Sequence, residues 1–333
     1  PAHRYPKEAI QALCESLQKW IPRIQEKNVD TLFNNRIERW SKIGHWETVT
    51  EEKVSKTQKK ISLLPIPDSH GYLKRHKGCY TEDGVHKYDP VQISRLSSTG
   101  YVCETCGYRY IRPSLWDLMD LMLDKGTFVE HQNTRLIVDK DILGFPKYAE
   151  KLIEVRKRTG LMTAMITGDA SIQEIEVVFC GADFGFLGAS FCMSTGEKIW
   201  RAADIAIQMK KPLVLQAAGG GARMHEGCSS MVSIPKAHIA ISRVERSGQK
   251  VITLITDPTL GGVAIGYGSR GIRLFDKYAG NIGFSGRRVI EQYTGHKTSR
   301  EFQTTPWLEK HGHTNYVVTP QNIRSTVAKI LTE

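Results

Sequence analysis

What is missing from the sequence narrows it first. No stretch of the 333 residues approaches the ~18 uninterrupted apolar residues that suggest a bilayer span, so none is expected. The first thirty residues have no apolar core and no small-residue cleavage site, so no secretory signal is expected either. No period or biased tract is present, which excludes collagen-like, coiled-coil and low-complexity classes. Cysteine is sparse and odd in number, seven in all, and only Cys103 and Cys106 are closely spaced. That is no disulfide framework; it points to a reducing compartment and one candidate metal site. Also missing is any His/Ser/Asp or Cys/His constellation for covalent catalysis. What remains, 40% hydrophobic and 24% charged residues, is a globular composition.

The net charge is +11 and unevenly spread. Residues 1–112 carry 19 Lys/Arg against 13 Asp/Glu, and residues 113–333 carry 27 against 22. Clusters such as Lys53, Lys56, Lys59, Lys60 and Lys74, Arg75, Lys77 concentrate the excess in the first third. A basic surface suits polyanions: nucleic acid, the phosphates of coenzyme A or an acidic carrier protein. It suits a solvated face equally well.

Three segments follow from the patterning. Residues 1–72 read as a helical extension and linker. Helices are expected over 6–28, with a kink or break at Pro22, and over 30–44. Residues 73–112 are short, basic and rich in Gly, Tyr and Cys, a module too small to bury much core without a staple. Residues 113–333 alternate helices and strands, the rhythm of an α/β domain. Expected there are a helix in SLWDLMDLMLD, strands over 161–180 with a turn at Gly168-Asp169, and a helix over 196–211. A strand over 212–221, helix over 224–247 and strand over 251–258 follow. A Gly-rich loop over 259–271, a helix over 285–293 and the closing segment TPQNIRSTVAKIL (319–331) complete the pattern.

Two Gly-rich segments follow apolar strands: Gly219-Gly220-Gly221-Ala222-Arg223 and Thr259-Leu260-Gly261-Gly262-Val263. Glycine at a strand end lets backbone N–H groups approach a ligand, and two such donors make an oxyanion hole suited to a thioester enolate. Either segment alone reads as a tight turn. Neither is a dinucleotide fingerprint or a phosphate-binding P-loop.

From Tyr101 to Glu333 the sequence resembles the β subunit of the carboxyltransferase of multi-subunit acetyl-CoA carboxylase. The matching stretches are CETCGY, DKGTF (124–128), FGFLGAS followed by GEKI, GGARMHEG, DPTLGGV and FSGRRVIEQ, in the family's order and spacing. The resemblance implies a crotonase-like α/β fold of the ClpP/crotonase superfamily, preceded by a zinc ribbon. It implies transfer of CO2 from carboxybiotin to a coenzyme A thioester enolate, giving a malonyl thioester for fatty acid biosynthesis. It also implies a carboxyltransferase α-type subunit, a biotin carboxyl carrier protein and an α2β2 assembly. The compartment would be the cytoplasm, or the plastid stroma in a plant.

By the same resemblance Gly220 and Gly221 are candidate oxyanion donors, and Gly261 and Gly262 line the cleft. Gly188, Ser190 and Arg223 are candidate substrate-binding residues, although Arg223 at i−3 from Glu226 reads equally as a structural clamp. In the family two CxxC pairs hold one structural zinc. Here His76-x-x-Cys79 stands in for the first pair and Cys103-x-x-Cys106 is the second, a Cys3His set that leaves no open coordination position. The alternative is a degenerate ribbon without metal.

The chain departs from the family pattern where Gly188-Ala189-Ser190-Phe191-Cys192 replaces Gly-Gly-Ser-Met-Gly and where Pro235 enters a helix. A kink is expected at that proline. Two other functions compete with carboxyl transfer. One is a malonyl-thioester decarboxylase, which needs the same enolate hole and no biotin. The other is a non-catalytic scaffold or nucleic-acid-binding subunit, against which stands the lack of any RNA-binding signature. Metal analysis of freshly purified protein is expected to give one zinc per chain, and a metal-free result would remove the zinc assignment to His76, Cys79, Cys103 and Cys106.

Overall fold

The computed structural model describes residues 5–44, 47–48, 72–73, 91–92, 99–102, 109 and 111–333. His76, Cys79, Cys103 and Cys106 lie outside the described residues. The chain divides into two compact units, Pro1–Ile43 and Gly44–Glu333. In the first, α1 (Pro6–Gln25) and α2 (Val29–Ser41) form where the apolar spacing places them. Asn28 caps α2 by accepting the Thr31 N–H at 2.7 Å. The break expected at Pro22 does not occur: α1 runs through it to Gln25.

The second unit is built on one sheet. Its strands are β1 (Val129–Glu130), β2 (Met165–Ile172), β3 (Ile175–Ala182), β4 (Leu213–Gly219), β5 (Val251–Leu260), β6 (Ile272–Asp276), β7 (Ile282–Gly283) and β8 (Tyr316–Val318). They lie in the order β8-β6-β5-β4-β3-β2-β1, with β7 beside the end of β5. From β3 to β8 the pairing is parallel, and β1, β2 and β3 pair antiparallel. This mixed sheet agrees with the expected α/β class. The helices of six or more residues are α3 (Leu115–Met122), α4 (Tyr148–Thr159), α5 (Met193–Met209), α6 (Cys228–Arg246), α7 (Arg287–Thr294), α8 (Thr305–Lys310) and α9 (Ile323–Thr332). The central strands are near-continuous apolar runs because helices cover them; Leu213–Gly219 and Val251–Thr256 are wholly buried.

Two local expectations fail for identifiable reasons. Gly168-Asp169 is not a turn but lies within β2, where Gly168 pairs with Glu130 of β1 and Phe179 of β3. A Cβ at Gly168 would stand 2.4 Å from the Val129 carbonyl, so the glycine is there to let β1 cross. The hairpin turns instead at Gln173 and Glu174, both left-handed at φ 47° and 67°. Asp124 makes that turn possible by accepting both their N–H groups, at 3.0 and 2.8 Å. The Gly-rich stretch 259–271 is likewise not a loop. β5 extends to Leu260, and Gly261–Val263 and Ala264–Gly268 coil into helical turns. Gly266 allows this because a Cβ there would meet the Phe191 ring at 2.9 Å.

Helices α5 and α6 pack on each other, and α5 lies against β2 and β3. Gly196 sets their approach: a Cβ would stand 2.1 Å from Ser233 Oγ and 2.9 Å from the Ser233 carbonyl. Around that contact Lys236 pairs with Glu197 at 2.6 Å, and Glu197 also accepts from Arg201 at 2.8 Å. Pro235 lies inside α6, which remains one helical element from Cys228 to Arg246. Gly196→Ala tests the close approach. On an open helix it would stabilise by about 0.5–1 kcal/mol. Here overpacking against Ser233 is expected to destabilise by about 1–3 kcal/mol in urea denaturation.

Candidate active site

Three loops meet beyond the ends of β3, β4 and β5. After β3 the chain makes a left-handed turn in which Leu187, Gly188 and Ala189 have φ of 49°, 64° and 46°. Two of the three are not glycine, a conformation that costs on the order of 1–2 kcal/mol per residue and is kept only where the surroundings enforce it. What enforces it is the loop after β4. Gly220 N–H donates to the Gly188 carbonyl at 2.9 Å, Phe191 N–H to the Gly221 carbonyl at 2.7 Å, and Arg223 N–H to the Phe191 carbonyl at 2.8 Å. The loop after β5 closes the group. A Cβ on Gly261 would lie 3.3 Å from the Gly221 Cα, and one on Gly262 would lie 3.1 Å from the Ala222 nitrogen.

The structure thus gathers Gly188, Ser190, Gly220, Gly221, Gly261 and Gly262 into one place. It also separates their parts. Gly221, at φ 114°, and Gly261, at φ 49°, are glycines because the two loops touch and the backbone is left-handed. Gly262 is hemmed in by Ile234 Cδ1 at 3.0 Å, so a valine there would disturb packing before it blocked a ligand. Gly220 is different. It is exposed, and a Cβ would meet nothing nearer than the Gly188 oxygen at 3.8 Å. Its N–H is already given to Gly188, so its contribution is open space beside the loop. Gly262 sits in the first turn of Gly261–Val263, where N–H groups have no intrahelical acceptor.

Arg223 does not line this open space. Its side chain is 1% exposed and points inward. Nη1 pairs with Asp139 and donates to the Tyr148 hydroxyl at 3.2 Å, Nε donates to Ser190 Oγ at 2.9 Å, and Nη2 donates to the Ser190 carbonyl at 3.0 Å. Of the two sequence readings of Arg223, the clamp describes this geometry. The dominant partner is Asp139, however, with Glu226 farther off at 3.7 Å. Ser190 Oγ, which accepts from Arg223 and donates to the Leu187 carbonyl at 3.0 Å, also serves the loop.

Asp139, Tyr148, Cys192 and Glu226 complete the buried cluster. Tyr148 donates to Glu226 Oε1 at 3.1 Å, and Met193 N–H to Glu226 Oε2 at 3.0 Å. Ser194 Oγ bonds Asp139, and the Cys192 thiol donates to it at 3.4 Å. Burial disfavours an ionised Asp139, but the charge of Arg223 and the hydroxyl of Ser194 outweigh it and hold the carboxyl below its ordinary range. Glu226 goes the other way: burial and the neighbouring Asp139 charge push it up to about 7. Burial pushes the Cys192 thiol up to about 12. Asp139, Cys192 and Glu226 place donor atoms within 4.8 Å of one another. The positive charge among them is the Arg223 guanidinium. Sequence reasoning missed Asp139 and Tyr148, which lie 84 and 75 residues from Arg223 and carry no local signal.

Removing the guanidinium would leave Asp139 buried and unpaired. Arg223→Met is expected to destabilise by about 3–5 kcal/mol, read by urea denaturation. The same measurement carries a pH signature. With its folded pKa raised from 4.5 to about 7, Glu226 contributes stability that is full at low pH. That stability is lost as pH rises through about 7. Glu226→Gln is expected to flatten the decline over that window; an unchanged pH profile would show that Glu226 is not the group responsible.

Comparison with known proteins gives the same fold. A Pseudomonas malonate decarboxylase hetero-dimer aligns with a TM-score of 0.53 at 18% identity, covering 71% of this chain and 90% of that one. Transcarboxylase 12S, solved with hydrolyzed methylmalonyl-coenzyme A bound, aligns with a TM-score of 0.54 at 20% identity over 72% of this chain and 42% of its own. A single-chain, multi-domain long-chain acyl-CoA carboxylase gives 0.54 at 19% identity, over 66% of this chain and 22% of its own. The carboxyl transferase domain family matches residues 122–319, the stretch from the end of α3 past β8 that contains all three loops and the Arg223 cluster. This chain belongs to the carboxyl transferase domain family.

Proposed function

We propose that the chain is the β-type component of a biotin-dependent carboxyltransferase that carboxylates acetyl-CoA or a related acyl thioester to a malonyl thioester. The observation that carries the reading is the open position at Gly220, walled by two abutting Gly-rich loops, in a chain of the carboxyl transferase domain family. A thioester carbonyl set beside Gly220 would meet backbone rather than side chains. The N–H groups of Gly221 and of the Gly261–Val263 turn would then face the charge that grows on its oxygen as the α proton leaves. Carboxybiotin, brought by a carrier protein, would supply the carbon dioxide. No side-chain nucleophile is required; the work of this chain is to orient the thioester and stabilise the enolate.

A partner is part of the reading. Met224, Met231, Val232, Ile265 and Phe284 are all exposed, from 41% to 79%, and all flank the three loops or the start of α6. Such a rim suits burial under a second subunit, for which a carboxyltransferase α-type chain is the proposed occupant, in an α2β2 assembly. Among the described residues no helix is long and apolar enough to cross a membrane.

The test is a carboxyl-transfer assay with malonyl-CoA and free biotin, with and without an α-type subunit, on wild type and Gly220→Val. Turnover is expected only with both subunits. The valine, placed in open space, is expected to lower it ~10²–10³-fold without lowering the melting temperature. Full turnover by the isolated chain or by a well-folded Gly220→Val protein would refute the reading. Release of carbon dioxide from malonyl-CoA with no biotin present would assign the site to decarboxylation instead.

A further inference from the structure

A second concave site lies beyond β6. The chain turns through Lys277–Gly280 there, and opposite stand Ser299–Glu301 and the helix α8 with its exit at His311. Together they enclose a groove of about 770 Å³, within the ~300–1,000 Å³ of small-molecule sites. Its floor is fixed and open: Thr305 N–H donates to the Ala279 carbonyl at 3.0 Å, and a Cβ on Gly280 would meet nothing within 4 Å.

Two features of the lining point to a ligand. The first is charge. Lys277, Arg300 and Lys310 are exposed in the groove, and among the described residues none of the three is engaged in an ion pair. Glu301 is the one carboxylate in the lining. The second is an aromatic stack. Trp307 is stacked with His311 at a centroid separation of 4.0 Å and 26°, and is braced at its edge by Phe302 at 5.2 Å and 76°. Thr304 anchors Trp307 by accepting its N–H at 3.4 Å. His311 Nδ1 lies 2.7 Å from the Trp307 carbonyl. A carbonyl only accepts, so Nδ1 is the donor of that bond.

We propose that this groove binds a nucleoside diphosphate moiety, with the phosphates on Lys277, Arg300 and Lys310 and the base against the Trp307–His311 stack. Cations outside any ion pair supply the charge-assisted contacts that phosphate oxygens take, and an aromatic stack beside them suits the face of a planar base. The moiety is either part of a coenzyme or a free nucleotide. The site is independent of the carboxyl-transfer reading and is tested without turnover.

The experiment is isothermal titration of the full chain with ADP at low salt, with inorganic pyrophosphate and adenosine as half-ligands. ADP is expected to bind more tightly than either. Arg300→Glu and Lys310→Glu, both at exposed positions, are each expected to weaken ADP about tenfold, the loss of one charge-assisted contact. His311→Ala is expected to weaken ADP but not pyrophosphate. Displacement of ADP by coenzyme A would identify the source as the coenzyme's own diphosphate; binding that coenzyme A leaves untouched would identify a free nucleotide. No ADP binding, pyrophosphate binding as tight as ADP, or an ADP affinity unmoved by both charge reversals would overturn the proposal.

Discussion

The Arg223–Asp139 ion pair is the contact on which the geometry of the loops rests. One guanidinium reaches Asp139, Tyr148 and both the hydroxyl and carbonyl of Ser190, and so ties the segment after β3 to the segment after β4 from beneath. A buried ion pair is weak evidence for net stability, because desolvating two charges offsets much of their attraction. Its value here is geometric. A planar fork with fixed donors holds Ser190 in one place, which a point charge on a flexible stem would not do. Losing either partner strands the other charge in the interior, so the arrangement is all or nothing.

That clamp explains how a strained turn persists. Leu187 and Ala189 sit in the left-handed region without the freedom of glycine. Arg223 grips Ser190 on one side of the turn, and Gly220 N–H grips the Gly188 carbonyl in its middle. Cys192 and Asp139 stand just below, where a smaller residue would leave the cluster one hydrogen-bonding group short. Cys192 thus belongs to the buried cluster rather than to the open face at Gly220.

Glycine does two separate jobs in this fold, and only the tertiary contacts tell them apart. Gly168, Gly196 and Gly266 admit a crossing strand, a packed helix and an aromatic ring. Gly221 and Gly261 let two loops touch. Of Gly219, Gly220 and Gly221 at the end of β4, only Gly220 is exposed. In the sequence all of these look alike, which is why Gly168-Asp169 reads as a turn.

The pattern of apolar residues was enough to place the helices near 115, 196 and 228 and the strands at 213 and 251. These elements are set by a period of 3.6 or by a buried apolar run, signals carried by neighbours in the chain. The pairing of two Gly-rich segments at strand ends was equally legible, because parallel strands deliver their following loops to one edge. The Asp139–Tyr148–Arg223 cluster, the turn held by Asp124 and the groove around Trp307 were not legible. Each joins residues far apart in sequence whose partners are chosen by burial, and a buried charge or an orphaned N–H finds its partner only once the chain has folded around it.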